Sequence, residues 1–201
     1  MCVAELVQAL SNSKPRVRWT AADALGRQGP AAKVAVPKLI AALSDKDQDV
    51  RCSAARALGN LGGDVAAGAA PDLKKLLLDD DGGSRWGAAE ALGNLGRAGV
   101  GAISELVAAL SDDDADVRGG AATALGKFGQ LGLAPEEAVP GITSCLTDDE
   151  WHVRRAAAEA LGRCGAAAGP AVPELRKAVS DRHPRVSNTA QTALDKILAL
   201  Q

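Results

Sequence analysis

With 201 residues, the chain is long enough for one domain or two, and hydrophobic residues make up 47% of it while aromatic residues make up only 2%. Small aliphatic side chains must therefore fill the core, which suits closely packed helices better than a β-sandwich. The formal net charge of −2 lacks the basic excess typical of proteins that neutralise many phosphates.

One short motif, Ala-Leu-Gly, recurs along the whole sequence. Its leucines are Leu25, Leu58, Leu92, Leu125 and Leu161, with Leu194 in a degraded sixth copy, and they follow one another at steps of 33, 34, 33, 36 and 33 residues. The longer step reflects a loop extension within residues 129–140. We therefore expect a single repeat domain over residues 1–201, with repeats at approximately 1–29, 30–62, 63–96, 97–129, 130–165 and 166–201.

Each copy contains two apolar stretches, which predict a first and a second helix. Four first helices begin after a proline, a residue that suits the first turn of a helix: Pro37, Pro71, Pro140 and Pro173. The second helices of copies two to four are predicted to begin after an Asp N-cap, and those of copies one and six with a proline: Asp47, Asp81, Asp114, Pro15 and Pro184. Glycines are predicted to end the second helices: Gly62, Gly96, Gly129 and Gly165.

The apolar residues of a second helix lie on one stripe. In copy two the stripe contains Val50, Ala54, Leu58 and Leu61, spaced at the period of an α-helix. Phe128 takes the position of Leu61 in copy four. A pair of helices this short cannot bury its stripe alone, whereas stacked copies can, so the sequence predicts an all-α fold, an α-solenoid.

The segment VPKLIAALSDKDQDVRCSAARALGNLG, residues 36–62, resembles a HEAT repeat of the phycobilisome-lyase (PBS lyase HEAT-like) type. The resemblance extends over essentially the whole chain. It implies an armadillo-like, right-handed superhelix of about six helix-turn-helix repeats, twelve helices in all. The first helices would form the convex layer and the second helices the concave layer.

The resemblance also implies a ladder of Asp and Arg residues between repeats, with a structural role. The arginine position holds Arg18, Arg51, Arg85, Arg118 and Arg154, and Ser187 in the last copy. Six residues before each lie Asn12, Asp45, Asp79, Asp112, Asp148 and Asp181.

The positions of each second helix that point away from its apolar stripe are the first and fifth after the ladder arginine, joined by the two residues before the valine. We call this surface the second-helix face, and the resemblance places it on the concave side. Its predicted partner-binding residues are Arg16, Trp19, Asp23, Asp49, Arg56, Trp86, Glu90, Asp116, Trp151, His152, Arg155, Glu159 and Arg185.

All three tryptophans of the chain occupy this face. Exposed tryptophans are enriched at interface hot spots, so they are candidate anchors for a partner. The alternative is that each ring fills space above small neighbouring residues, with a cation–π contact between Trp151 and Arg155 one helical turn on. The mixed charges of the face favour a protein or peptide partner over nucleic acid.

These residues predict a non-catalytic scaffold or adaptor that binds a partner protein or peptide, either by itself or as a subunit of a larger complex. We expect no catalytic residues, no metal and no cofactor. The resemblance leaves two alternatives open. One is a phycobilin lyase-like protein that holds a chromophore, with Arg56 or Arg155 on its propionates. The more remote one is a HEAT-like DNA-binding protein or glycosylase, with Trp19, Asp23, Trp86 and Asp116 in its groove.

The remaining sequence features concern the compartment of the protein. Four widely spaced cysteines without a C-x-x-C motif predict neither a zinc site nor a disulfide framework. No apolar run approaches the roughly 20 residues that a membrane span needs, and the start MCVAELVQALS lacks the features of a signal peptide. We therefore expect an intracellular protein, cytoplasmic or organellar and not secreted.

Overall fold

The computed structural model describes residues 2–133 and 136–200, and all regular structure in those residues is helical. We number the α-helices α1–α13 in chain order. The first helices of the six copies are α1 (Val3–Ala9), α3 (Val36–Ala42), α6 (Ala70–Leu76), α8 (Ile103–Ala109), α10 (Ala138–Ser144) and α12 (Val172–Ala178). The second helices are α2 (Pro15–Arg27), α4 (Gln48–Leu61), α7 (Gly82–Asn94), α9 (Ala115–Gln130), α11 (Trp151–Cys164) and α13 (Pro184–Leu198).

Short turns connect these pairs. The single α-helical turn α5 covers Gly63–Ala66, and 3-10 turns cover Gly29–Ala35, Ala67–Ala69, Gly96–Ala102, Cys145–Thr147 and Gly165–Ala171. The predicted extension within residues 129–140 includes Ala134 and Pro135, which lie outside the described residues. Across the described ranges, no helix combines the length and the apolar character that crossing a membrane requires.

The predicted helix starts are confirmed. The side chains of Asp47, Asp81 and Asp114 accept hydrogen bonds from backbone N–H groups of Val50, Ser84 and Asp116 at 3.2, 2.7 and 2.8 Å. Each therefore satisfies a donor that the first helical turn leaves free. Prolines begin α2 and α13, as the sequence predicts.

The prediction that Gly129 ends a second helix is wrong. Helix α9 continues to Gln130, and Gly132 is the residue with positive φ, 70°. Gly129 is small for another reason, because a Cβ there would lie 2.6 Å from the Sγ atom of Cys164 in α11.

The chain divides into two compact units, Met1–Ala102 and Ile103–Gln201. In the first unit α2, α4 and α7 pack side by side, and α1, α3 and α6 each pack on the second helix of their own copy. In the second unit α9, α11 and α13 pack side by side in the same way, and α8, α10 and α12 each pack on the second helix of their own copy. Each unit is thus a stack of helical pairs in two layers, the architecture of an α-solenoid.

The Ala-Leu-Gly motif forms the contact between successive copies. Its leucine is fully buried in the first five copies. Its glycine lies against the alanine of the next motif: a Cβ at Gly59 would be 2.7 Å from the Ala91 Cα, and one at Gly126 would be 2.7 Å from the Ala160 Cα. A side chain at either position would clash with the neighbouring backbone. The glycine of the motif is therefore needed for the close approach of successive second helices.

The Arg and Asp ladder is present in both units. Arg18, Arg51, Arg118 and Arg154 each donate to a carboxylate of the following copy, at Asp45, Asp79, Asp148 and Asp181, with shortest distances of 2.6, 2.7, 2.7 and 2.7 Å. The same guanidinium groups donate to backbone carbonyls of their own copy, for example from Arg154 to Asp148 O at 2.8 Å. In the last copy the Ser187 hydroxyl instead donates to Val179 O at 2.7 Å.

The ladder changes the acidity of its carboxylates. The hydrogen bonds from Arg118 and Arg154 lower the pKa of Asp148 and of Asp181 below the ordinary value, against the opposing effect of burial. At Asp45 and Asp79, burial by itself would raise the pKa, but the hydrogen bonds from Arg18 and Arg51 and from backbone N–H groups make the net shift downward.

We therefore expect acid to destabilise the fold. A carboxyl with a lowered pKa in the folded state stabilises it above the unfolded pKa of about 3.9, and this contribution disappears as the pH falls through the folded pKa. Urea unfolding followed by circular dichroism should give a constant free energy of unfolding at mildly acidic to neutral pH and a decline below about pH 4. Asp181→Asn should make that decline shallower. Equal stability on both sides of pH 4 would contradict this expectation.

Candidate functional site

A row of charged side chains crosses the second-helix face of the first unit. Asp23, Arg56 and Glu90 take the same position in successive second helices. The Arg56 guanidinium lies 4.0 Å from Asp23 Oδ1 and 3.6 Å from Glu90 Oε2. Both distances exceed a hydrogen bond, and Glu90 Oε2 is buried without a hydrogen-bond partner. Asp23 also accepts a 2.6 Å hydrogen bond from Arg27.

Trp86 lies beside this row. The Arg56 Cζ is 5.5 Å from the centroid of the Trp86 ring, within the range of a cation–π contact. Arg56 therefore lies close to an aromatic ring and two carboxylates, while its N–H donors are without hydrogen bonds to described residues.

The equivalent position of α2, α4 and α7 holds Trp19, Cys52 and Trp86, respectively. All three side chains are half-buried. Gly87 allows α7 to approach Cys52 closely, since a Cβ at Gly87 would lie 3.2 Å from Cys52 O. Burial raises the pKa of the Cys52 thiol.

Two predicted residues of the first unit lie apart from this cluster. Arg16 and Asp49 are exposed near the starts of α2 and α4. Among the ion pairs of the residues that the structure describes, neither joins Asp23, Arg56 or Glu90.

In the second unit the structure brings Trp151, His152 and Arg185 together. The Trp151 ring stacks on the His183 ring, with centroids 4.2 Å apart and planes 7° from parallel. His152 meets the same ring edge-on at 6.0 Å, and the Arg185 Cζ is 5.7 Å from its centroid. The nearby cation is thus Arg185 of the next copy, where the sequence suggested Arg155. The ring of Trp151 is largely engaged within the unit.

His183 has a second role at this cluster, which sequence reasoning missed. Its Nδ1 accepts a hydrogen bond from the Arg185 N–H at 3.3 Å and so caps α13. The position corresponds to the N-cap Asp47 of copy two, which is the signal that could have identified it.

His152 faces two carboxylates. Its Nε2 lies 3.4 Å from Asp116 Oδ1, and its Nδ1 lies 3.9 Å from Glu150 Oε2. Asp116 itself is 75% exposed, so it borders the face rather than lying within it.

The other predicted residues of the second unit form a row along α11. Glu159 accepts hydrogen bonds from Arg155 at 3.1 Å and from Arg163 at 2.6 Å. One carboxylate therefore serves two arginines, which leaves an excess of positive charge on this part of the helix.

A cleft beside this row was not identified from the sequence. It lies between α11, α13 and the end of α9, with lining residues Gln130, Glu159, Gly162, Arg163, Asn188, Thr189, Thr192, Ala193 and Lys196. Its lining cations, Arg163 and Lys196, stand nine residues after the ladder position, where the preceding copy has Lys127 outside the lining. That periodic run of basic residues is the sequence signal for the cleft.

Within residues 2–133 and 136–200, no group of three or more His, Cys, Asp and Glu side chains is arranged to hold a metal ion. Burial raises the pKa of Cys164 to about 11, and burial with the nearby Asp148 charge does the same for Cys145. Neither thiol has the lowered pKa of a nucleophile.

Comparison with known protein structures gives helical repeat proteins. An engineered protein is 27% identical with a TM-score of 0.80, over 99% of this chain and 99% of that one. A chain from the complex of CpcE and CpcF of phycocyanin lyase from Nostoc sp. PCC7120 is 26% identical with a TM-score of 0.73, over 98% of this chain and 77% of that one. A designed armadillo repeat protein in complex with the peptide (KR)4 is 21% identical with a TM-score of 0.77, over 98% of this chain and 100% of that one, a likeness of fold alone.

Sequence comparison agrees with this fold. A search of curated protein sequences gives no match. The profile of the HEAT repeats family matches residues 3–93, 81–136 and 103–195. These matches cover nearly the whole chain and coincide with the stacked helical pairs and their Arg and Asp ladder, so this protein belongs to the HEAT-repeat family.

Proposed function

We propose that this HEAT-repeat protein is a non-catalytic scaffold that binds an extended segment of a partner protein through its second-helix face. The observation that carries the proposal is the Arg56 cluster of the first unit. Arg56, Trp86 and Glu90 form no part of the apolar stripe or of the ladder. Arg56 nevertheless lies over Trp86 at 5.5 Å with unused donors.

An arginine beside an aromatic ring and two carboxylates is suited to recognition. These neighbours restrict the orientations of its side chain, so less side-chain entropy is lost when a partner binds. Half-buried tryptophan and arginine are also the residue types that contribute most to interfaces. The fold supports the same reading, since the structural relatives include a designed repeat protein in complex with a peptide and a chain from a two-protein lyase complex.

The test is a selection from a random peptide library displayed on phage, with the whole chain immobilised. Peptides enriched on the wild type should bind Trp86→Ala at least about tenfold more weakly, as expected for loss of an interface tryptophan. Arg56→Gln, which keeps the stem of the side chain, should weaken the same peptides. Binding is measured by fluorescence anisotropy, and circular dichroism checks that each variant is folded.

Leu78→Ala is the matched control, because Leu78 is an exposed apolar residue of the first unit, 80% accessible, that follows a first helix. It should leave binding unchanged. The proposal fails if no peptide is enriched above an empty surface, or if enriched peptides bind Trp86→Ala and Arg56→Gln as tightly as the wild type.

Trp151 plays a different part in this proposal. Since its ring stacks on His183 at 4.2 Å, Trp151→Ala is expected to lower the melting temperature as well as any binding. Trp86→Ala is therefore the cleaner test of recognition.

A second candidate is a subunit that handles a bilin chromophore. The observation that favours it is the 26% identity to a chain of the phycocyanin lyase complex over 98% of this chain. Incubation with a free bilin should then shift the visible absorbance of the pigment. An unchanged spectrum would remove this candidate.

A further inference from the structure

The cleft of the second unit differs chemically from the Arg56 cluster. Its lining includes Gly162 and Ala193, which lie in contact: a Cβ at Gly162 would be 2.9 Å from the Ala193 Cβ. Its volume of about 560 Å³ can hold a few side chains but not a folded domain. The size and the small lining residues therefore suit an extended segment.

The lining of the cleft has a small excess of positive charge. Arg163 and Lys196 line the cleft on α11 and α13, and Arg155 stands one turn before Glu159. Glu159, the carboxylate in the lining, is already bonded to two arginines. Asp195, next to Lys196, accepts a hydrogen bond from Gln191 at 2.7 Å. The lining thus carries two cations, Arg163 and Lys196, and one carboxylate that is already shared between two arginines.

The helix dipole explains the positions of the two cations but not the other polar residues of the cleft. Arg163 and Lys196 are in the last turns of their helices, where a cation is stabilised by roughly 0.3–1 kcal/mol. That effect accounts for their sign. It does not explain the amide side chains of Gln130 and Asn188, which also line the cleft.

We propose that this cleft binds an acidic segment of the partner protein. Carboxylates of the segment would pair with Arg163 and Lys196, and the two amides would hydrogen-bond its backbone. The inference rests on the proposed function and adds the chemistry of the partner. Charge complementarity identifies the occupant as an acidic peptide, since a basic one would meet Arg163 and Lys196 and find the lining carboxylate already paired.

The probes are three fluorescent ten-residue peptides in which leucine alternates with glutamate, glutamine or lysine. Fluorescence anisotropy with the whole chain should show the glutamate peptide binding about tenfold more tightly than the glutamine peptide, and the lysine peptide not binding. The affinity of the glutamate peptide should fall as salt is raised to about 0.5 M, because exposed charges are screened.

The variant is the double substitution Arg163→Gln with Lys196→Gln. It should reduce binding of the glutamate peptide to the level of the glutamine peptide. The matched control is Arg176→Gln with Lys177→Gln, which removes the same charge from the last turn of the first helix α12 in the same unit. It should leave binding within about twofold of the wild type.

Three results would overturn the inference: equal binding of the glutamate and glutamine peptides, an equal loss in the control double variant, or displacement of the peptide by citrate at matched carboxylate concentration. The last result would assign the cleft to small carboxylates. The proposed function is separately tested, because the binding of library peptides at Trp86 of the first unit is measured independently of the glutamate peptide and the cleft variants.

Discussion

Asp181→Ala is expected to lower the free energy of unfolding by about 3 kcal/mol, which is typical of removing one partner of a buried ion pair. Asp181 accepts two hydrogen bonds from Arg154, at 2.7 and 3.0 Å. The two side chains are only 6% and 10% exposed, so Arg154 would keep its charge without a carboxylate and almost without water. The loss also removes the hydrogen bond from the His183 N–H at 2.8 Å, which fixes the loop before α13.

Urea denaturation followed by circular dichroism measures this change. A double-mutant cycle with Arg154→Ala should give a coupling energy well above 1 kcal/mol. Glu174→Ala is the control in the neighbouring first helix, because the pair of Glu174 with Lys177 is 39% and 78% exposed and should contribute under about 0.5 kcal/mol. If Asp181→Ala lowered the free energy of unfolding no more than Glu174→Ala does, the ladder would not contribute to stability.

Gly126→Ala is expected to destabilise the chain by about 2 kcal/mol, although alanine is the better helix former. A Cβ at Gly126 would lie 2.7 Å from the Cα and 2.9 Å from the Cβ of Ala160. Neither atom can rotate away, so α9 and α11 would have to separate and loosen the apolar stripe between them. Gly126→Val should cost more than Gly126→Ala for the same reason.

Gly119→Ala provides the control in the same helix. The nearest atoms to a Cβ at Gly119 are His152 Cδ2 at 3.7 Å and Val153 Cγ2 at 3.9 Å, which are ordinary contacts. This substitution should raise the free energy of unfolding by up to about 1 kcal/mol through helix propensity. The two alanine variants should therefore shift the melting temperature in opposite directions, and shifts of the same sign would contradict the packing argument.

Much of this fold can be predicted from the sequence, because the same local signals for helix starts and apolar stripes recur in successive repeats. Asp47 and Asp81 cap their helices through hydrogen bonds to residues three positions on, so the pattern and the contact lie in the same short segment. The buried stripe of Val50, Leu58 and Leu61 follows in the same way from helical period.

Contacts between copies are harder to predict, because they depend on the register of neighbouring helices. Gly129 has the features of a helix end, yet it lies within α9, where Cys164 of the next copy requires a small residue. Trp151 pairs with His183 and Arg185 across copies rather than with Arg155 on its own helix. The candidate cleft likewise combines residues from α9, α11 and α13.

The ladder bears on the order in which this protein folds. Its ion pairs join residues 27, 28, 30 and 27 positions apart, less than one repeat length. Chains with such short sequence separations between contacts fold rapidly, and synthesis from the amino terminus presents the copies one by one. Each new copy emerging from the ribosome brings the carboxylate that the preceding arginine lacks. Each copy can therefore fold in turn onto the copy that precedes it in the chain.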